Sequence, residues 1–81
     1  MNPNNYCTLE QAKKLKELHF SQDGTDCVWV YWASGGFKSI QLRDNLKIEE
    51  DRVWFQGSWI KWCAAPNAQE TSQPLLSLLL F

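Results

Sequence analysis

Eighty-one residues with eight basic and nine acidic side chains carry a formal net charge of −1, and 44% of the chain is hydrophobic. That length holds one core and so a single domain over residues 1–81, and that hydrophobic share excludes a disordered chain. The charge balance gives no field for gripping a phosphate backbone, and the basic residues cluster only at Lys13, Lys14 and Lys16, beside Glu10 and Glu17, as on a solvated helix face rather than a basic stripe.

Residues 1–6 are polar and read as a loose lead-in. Thr8 opens a helix. Thr8 and Gln11 have the spacing of a capping box, and Cys7 and Ala12 that of a hydrophobic staple. Leu9, Ala12, Leu15 and Leu18 recur at intervals of three and form an apolar face. The helix stops near Leu18 or His19, and Phe20 falls where a residue beyond the cap folds back onto Leu15. After a polar loop at 21–26, Cys27-Val28-Trp29-Val30-Tyr31-Trp32-Ala33 reads as a strand. Both of its faces are apolar, Trp29 and Tyr31 on one and Val28, Val30 and Trp32 on the other. Such a strand is central or covered on both sides. Ser34-Gly35-Gly36 is a tight turn, and 37–42 returns as the antiparallel partner, with Ile40 and Leu42 on one face and Ser39 and Gln41 on the other.

Arg43-Asp44-Asn45 reads as a turn, Leu46-Lys47-Ile48 as a short strand and Glu49-Glu50-Asp51 as an acidic corner. Val53-Trp54-Phe55 and Trp59-Ile60-Lys61-Trp62 are strand segments around Gly57, which marks either a turn or a bulge. A turn would give Val53, Phe55, Ile60 and Trp62 one shared inner face. Ala64-Ala65-Pro66 ends the sheet. Asn67 and Glu70 make a second helix-start signal. Pro74 interrupts it, at ~3 kcal/mol in a helix interior, or opens a short last helix over 75–80, with a terminal strand as the alternative. The leucine-rich run from position 75, which ends on Phe81, is too short to span a bilayer. It would leave an apolar patch unless it docked on the sheet or joined a homodimer through Leu75 to Phe81.

Reactive constellations are sparse. His19 is the single histidine. It falls on the apolar side of the helix or in a left-handed cap, with no serine or cysteine placed to be its nucleophile. Cys7, Cys27 and Cys63 are an odd count at wide separations. They lack the short ligand pair of a structural zinc site and read as buried small hydrophobes in a reducing compartment. Asp23, Asp26 and the 49–51 run lack the alternating oxygens of a calcium loop and read as solvated turns. No catalytic residue, cofactor or metal is expected. The opening residues lack the basic start and apolar stretch of a signal peptide, so a cytoplasmic location is expected.

All five tryptophans fall between Trp29 and Trp62. Trp29 and Trp32 have opposite parity in one strand, as do Trp59 and Trp62, so they cannot all line one platform. Some belong to the core, and the rest are interface candidates, since tryptophan is enriched among binding hot spots. Trp29, Tyr31, Trp54 and Trp59 are the candidate partner-binding residues. A single-strand nucleic-acid platform needs aromatics beside a basic groove. The sequence shows the aromatics and no groove.

The run Leu9-Glu10-Gln11-Ala12-Lys13-Lys14-Leu15-Lys16-Glu17-Leu18-His19-Phe20, the tryptophan-rich strands and the step Ala65-Pro66-Asn67-Ala68-Gln69-Glu70 resemble a group of small uncharacterised proteins encoded by phages and integrated elements of gut anaerobes. His19 stands where that pattern usually has glycine, and the tail after Glu70 departs from it. The resemblance implies a phage or mobile-element setting and no established activity.

These readings combine into an α+β domain, with an N-terminal helix packed on an antiparallel sheet of three or four strands and a short C-terminal helix. Its expected core is Leu9, Ala12, Leu15, Leu18, Phe20, Val28, Val30, Ile40, Leu42, Val53, Phe55 and Ile60. The expected function is a small non-catalytic module that binds another protein or itself, one version being an inhibitor of a host protein. The alternative is a single-strand nucleic-acid binder using exposed tryptophans, with nucleic acid the less expected partner. No membrane association is expected.

Overall fold

The structure, a computed structural model, describes residues 5–67. Helix α1 (Leu9–Glu17) begins as its spacing predicts. The Gln11 amide donates to the Thr8 hydroxyl at 3.2 Å, and the Thr8 amide donates to Gln11 Oε1 at 3.0 Å. It ends at Leu18 as cap, with His19 left-handed at φ 64. The Phe20 amide reaches the Leu15 carbonyl at 2.9 Å and the His19 amide the Lys16 carbonyl at 3.1 Å, the paired bonds of a Schellman ending. Phe20 folds back against Leu15 and Cys7. Leu18, expected in the core, is 37% exposed, because each three-residue step falls about 60° short of a full helical turn and three such steps carry it to the side opposite Leu9.

Five strands follow: β1 (Cys27–Tyr31), β2 (Lys38–Leu42), β3 (Lys47–Glu49), β4 (Arg52–Phe55) and β5 (Ser58–Ala64). They form one antiparallel sheet in the order β2-β1-β5-β4-β3, not the three or four strands the sequence suggests. The short strand read at Leu46-Lys47-Ile48 is present as β3, one residue later, and a two-residue turn at Glu50-Asp51 folds it onto β4 so that Glu49 pairs with Arg52. Gly57 is a turn residue. Gln56 (φ 50) and Gly57 (φ 81) lie between the paired Phe55 and Ser58, which is a two-residue type I′ hairpin. Val53, Phe55, Ile60 and Trp62 consequently share one cluster with Val28 and Val30.

The connection from β2 to β3 shapes this sheet. Those strands are its opposite edges, four gaps apart, which in a flat sheet is about 19 Å. The chain crosses with only residues 43–46, part of them wound into the 3-10 turn Arg43–Asn45, where each residue advances ~2 Å. The sheet must therefore curl. Its concave side buries Val28, Val30 and Val53 completely, without a second layer among the described residues. Phe37 stacks on Phe55 with centroids 5.6 Å apart, and Leu46 and Ile48 pack onto the same cluster. Helix α1 covers the convex side, where Leu9 and Ala12 meet Cys63, Trp29 and Tyr31. That cover lies over β1 and β5 and stops short of the β2 edge, so Leu42, another expected core residue, stays 45% exposed.

Two contacts finish the domain. β5 runs past the end of β4, whose last partner on β5 is Lys61, so buried Ala64, paired with Val28 of β1 on one side, has no β4 residue on the other. Gln22 takes that place, with Oε1 accepting from the Ala64 amide at 2.8 Å. Tyr6, in the stretch expected to be loose, forms an antiparallel bridge with Asn67 and packs on Cys27, Ile40 and Ala65. Asn67, read as a helix cap, is a bridge partner here. The expected last helix and the apolar tail lie outside the described residues. No described helix is long and apolar enough to cross a membrane.

His19→Gly should raise stability by about 1 kcal/mol, because only a left-handed penalty is removed. Thermal unfolding would show this as an upward Tm shift, and an unchanged Tm would mean that His19 is not strained. Gln22→Leu should cost about 1–3 kcal/mol by orphaning the Ala64 amide. Faster hydrogen exchange at Ala64 would accompany the loss, and wild-type protection there would refute the capping role.

Candidate binding face on the convex side of the sheet

Pairing register decides what shares a face with the helix. Across the strands, Lys38 lies beside Tyr31, Tyr31 beside Lys61, Lys61 beside Arg52 and Arg52 beside Glu49. Two residues along β5, a second row reads Trp59, Trp54 and Lys47. Both rows lie on the convex side, with Tyr31 at the margin of the α1 cover and the residues of β5, β4 and β3 beyond it. Basic residues scattered between positions 38 and 61 of the sequence thus come together in space.

The second row is built on a tryptophan pair. Trp54 and Trp59 are directly opposite, with centroids 5.2 Å apart in an edge-to-face contact of 70°. Alternation away from the Gln56-Gly57 turn makes theirs a non-hydrogen-bonded pair, where side chains approach most closely. Trp54 is 44% exposed, and Trp59 is half-buried. The Arg52 guanidinium lies 4.2 Å from the Trp59 ring centroid and Lys47 Nζ 5.8 Å from it. Lys13, reaching down from α1, places Nζ 4.5 Å above the Tyr31 ring. Exposed contacts of this kind are worth ~0.5–1 kcal/mol each.

The charge on this face is poorly compensated. Glu49 is its one strand carboxylate, held by Arg52 at 3.1 Å and Lys47 at 3.7 Å. Lys38 and Lys61 form no ion pair among the described residues. Lys61 stands directly opposite Arg52, a like-charge cross-strand pair that costs a few tenths of a kcal/mol. A shallow groove lined by Trp32, Ser34, Asp51, Arg52, Trp59 and Lys61 runs beside the tryptophan pair.

Trp29 sits elsewhere. It is half-buried between α1 and the sheet, and its indole N–H donates to the Cys7 carbonyl at 2.7 Å. Of the four expected partner-binding residues, Tyr31, Trp54 and Trp59 share the open face and Trp29 serves the core. Trp62 is buried in the concave cluster, its indole N–H donating to the Glu50 carbonyl at 3.1 Å. The sequence reading missed Lys38, Lys47, Arg52 and Lys61. Once a two-residue turn is placed at Gln56-Gly57, strand parity alone puts Arg52 and Lys61 on the side of Trp54 and Trp59.

The reactive candidates do not converge. His19 is exposed at the helix cap, and the three cysteines are buried in three separate clusters. Among the described residues no three His, Cys, Asp or Glu side chains group as metal ligands. Burial pushes the Cys63 thiol up to about 11, against a weaker downward pull from Lys16 and Lys13. Burial and the neighbouring Cys63 also raise Tyr31. Both groups are neutral near pH 7.

The Cys63 shift has a definite sign. Its folded-state value lies above the ordinary 9.0, so the unfolded chain loses this proton first. The stability it contributes is full below pH 9.0 and is lost as pH rises toward about 11. Tm measured across that interval should fall less steeply for Cys63→Ala than for the wild type. Equal slopes would show that Cys63 is not protected by burial.

No protein-family model, curated protein sequence or solved structure matches this chain.

Proposed function

We propose that the protein is a non-catalytic interaction module that grips an anionic partner across the convex face of β5, β4 and β3. The observation that carries this reading is the exposed Trp54, packed edge-on against Trp59 beneath Arg52, on a face where Lys47 and Arg52 share the one carboxylate of Glu49 and Lys38 and Lys61 form no ion pair among the described residues. Tryptophan, tyrosine and arginine are the residue types that dominate binding hot spots, and all three meet here. The Lys61–Arg52 juxtaposition breaks a local rule of sheet pairing with one carboxylate, Glu49, to offset it. Such departures collect at working surfaces.

Reversing one charge separates function from folding. Lys61→Glu places opposite charges across β4 and β5, so stability should hold or rise by about 0.5 kcal/mol. The same change should weaken retention on heparin–agarose at low ionic strength, moving elution to lower salt. Wild-type protein that fails to bind the resin, or a variant that elutes unchanged, would remove this reading.

A further inference from the structure

We infer that the anionic partner is a single-stranded nucleic acid, its phosphates along the Lys38-Tyr31-Lys61-Arg52 row and its bases on the Trp59-Trp54 row. This rests on the binding face proposed above and names its ligand. Three features of the face point to it. First, the cations form a line rather than a cluster. From β2 to β4 the row crosses three strand gaps, about 14 Å, the length of roughly four nucleotides stacked at ~3.4 Å. Single-strand sites begin at about that size.

Second, the two rows run parallel, two residues apart on β5, which is ~7 Å. A nucleotide carries its phosphate and its base at a comparable offset, so one strand can follow the cations while its bases reach the tryptophans. An acidic peptide needs only the cationic line and gives no reason for an aromatic line beside it. Third, the aromatics offer stacking surface without a pocket. Trp54 is open to solvent, and the groove beside Trp59 is shallow. Stacking of that kind tolerates any base, because each has a π-face. The Arg52 guanidinium, already lying over Trp59, adds a planar cation of the type that stacks with bases.

Fluorescence anisotropy with a labelled deoxythymidine oligonucleotide of roughly a dozen residues tests this. Binding should appear at low salt and weaken roughly a hundredfold per tenfold rise in salt, the slope for about three neutralised phosphates on a single strand, one for each cation of the row. Trp54→Ala should weaken it roughly tenfold, the loss of one stacked base. Lys61→Glu should weaken it and flatten the salt slope. A duplex of equal length should compete poorly, since its bases are not free to stack. Polyglutamate is the parallel probe. If it binds through Lys61 while the oligonucleotide does not bind, the nucleic-acid inference is overturned and the interaction module stands. If duplex and single strand bind alike and Trp54→Ala changes neither, the inference is also overturned. If heparin, polyglutamate and oligonucleotide all fail to bind, both readings fall.

Discussion

The short link from β2 to β3 is the constraint on which the rest of the molecule depends. It ties the two edges of a five-stranded sheet through residues 43–46 and thereby curls the sheet around its own concave core. Arg43 fastens that link. Its backbone amide reaches the Asp26 carbonyl at 2.8 Å, its Nη1 the Gln22 carbonyl at 2.7 Å, and its guanidinium lies 5.2 Å from the Trp62 ring centroid. Curling lets one sheet enclose its own core. A chain this small gains burial that a flat sheet under one helix could not supply. The single described helix is then free to cover the other side, and it covers only part of it.

What the helix leaves uncovered is chosen by register rather than composition. α1 crosses Trp29 and Cys63, and its cover reaches as far as Tyr31, with Lys13 over that ring. Beyond that line the convex surface belongs to side chains pairing between β3, β4 and β5. Acidic residues sit mostly outside it, in the 21–26 loop, on α1 and at the β3–β4 turn. A formal charge of −1 therefore describes the whole chain and misdescribes this face.

Local signals carried much of the fold. The capping box, the Schellman ending with Phe20, the double-sided β1 and the inner set Val53, Phe55, Ile60 and Trp62 all rest on interactions a few residues apart, and spacing reveals those. Closure did not show, because it depends on which edges a four-residue link can join, a property of the strand order. Leu18 and Leu42 carried the right hydrophobicity for the core but lie where helix and cover end. On the face itself, the tryptophans were visible by type and the cations were not. Lys38, Lys47, Arg52 and Lys61 are separated in sequence and meet only through four strand pairings. The same parity that divided Trp59 from Trp62 would have gathered Arg52 and Lys61, had the Gln56-Gly57 turn been fixed first.

Concentrating positive charge on one side of a nearly neutral body makes the molecule a dipole. A neutral total means little net pull from afar, so encounters at random angles are not rewarded. A polyanion close by instead exerts a torque, turning the tryptophan side toward itself before contact. Orientation would thus be settled within about a Debye length, ~8 Å at physiological salt, and the short-range aromatic contacts would form on a surface already facing the right way.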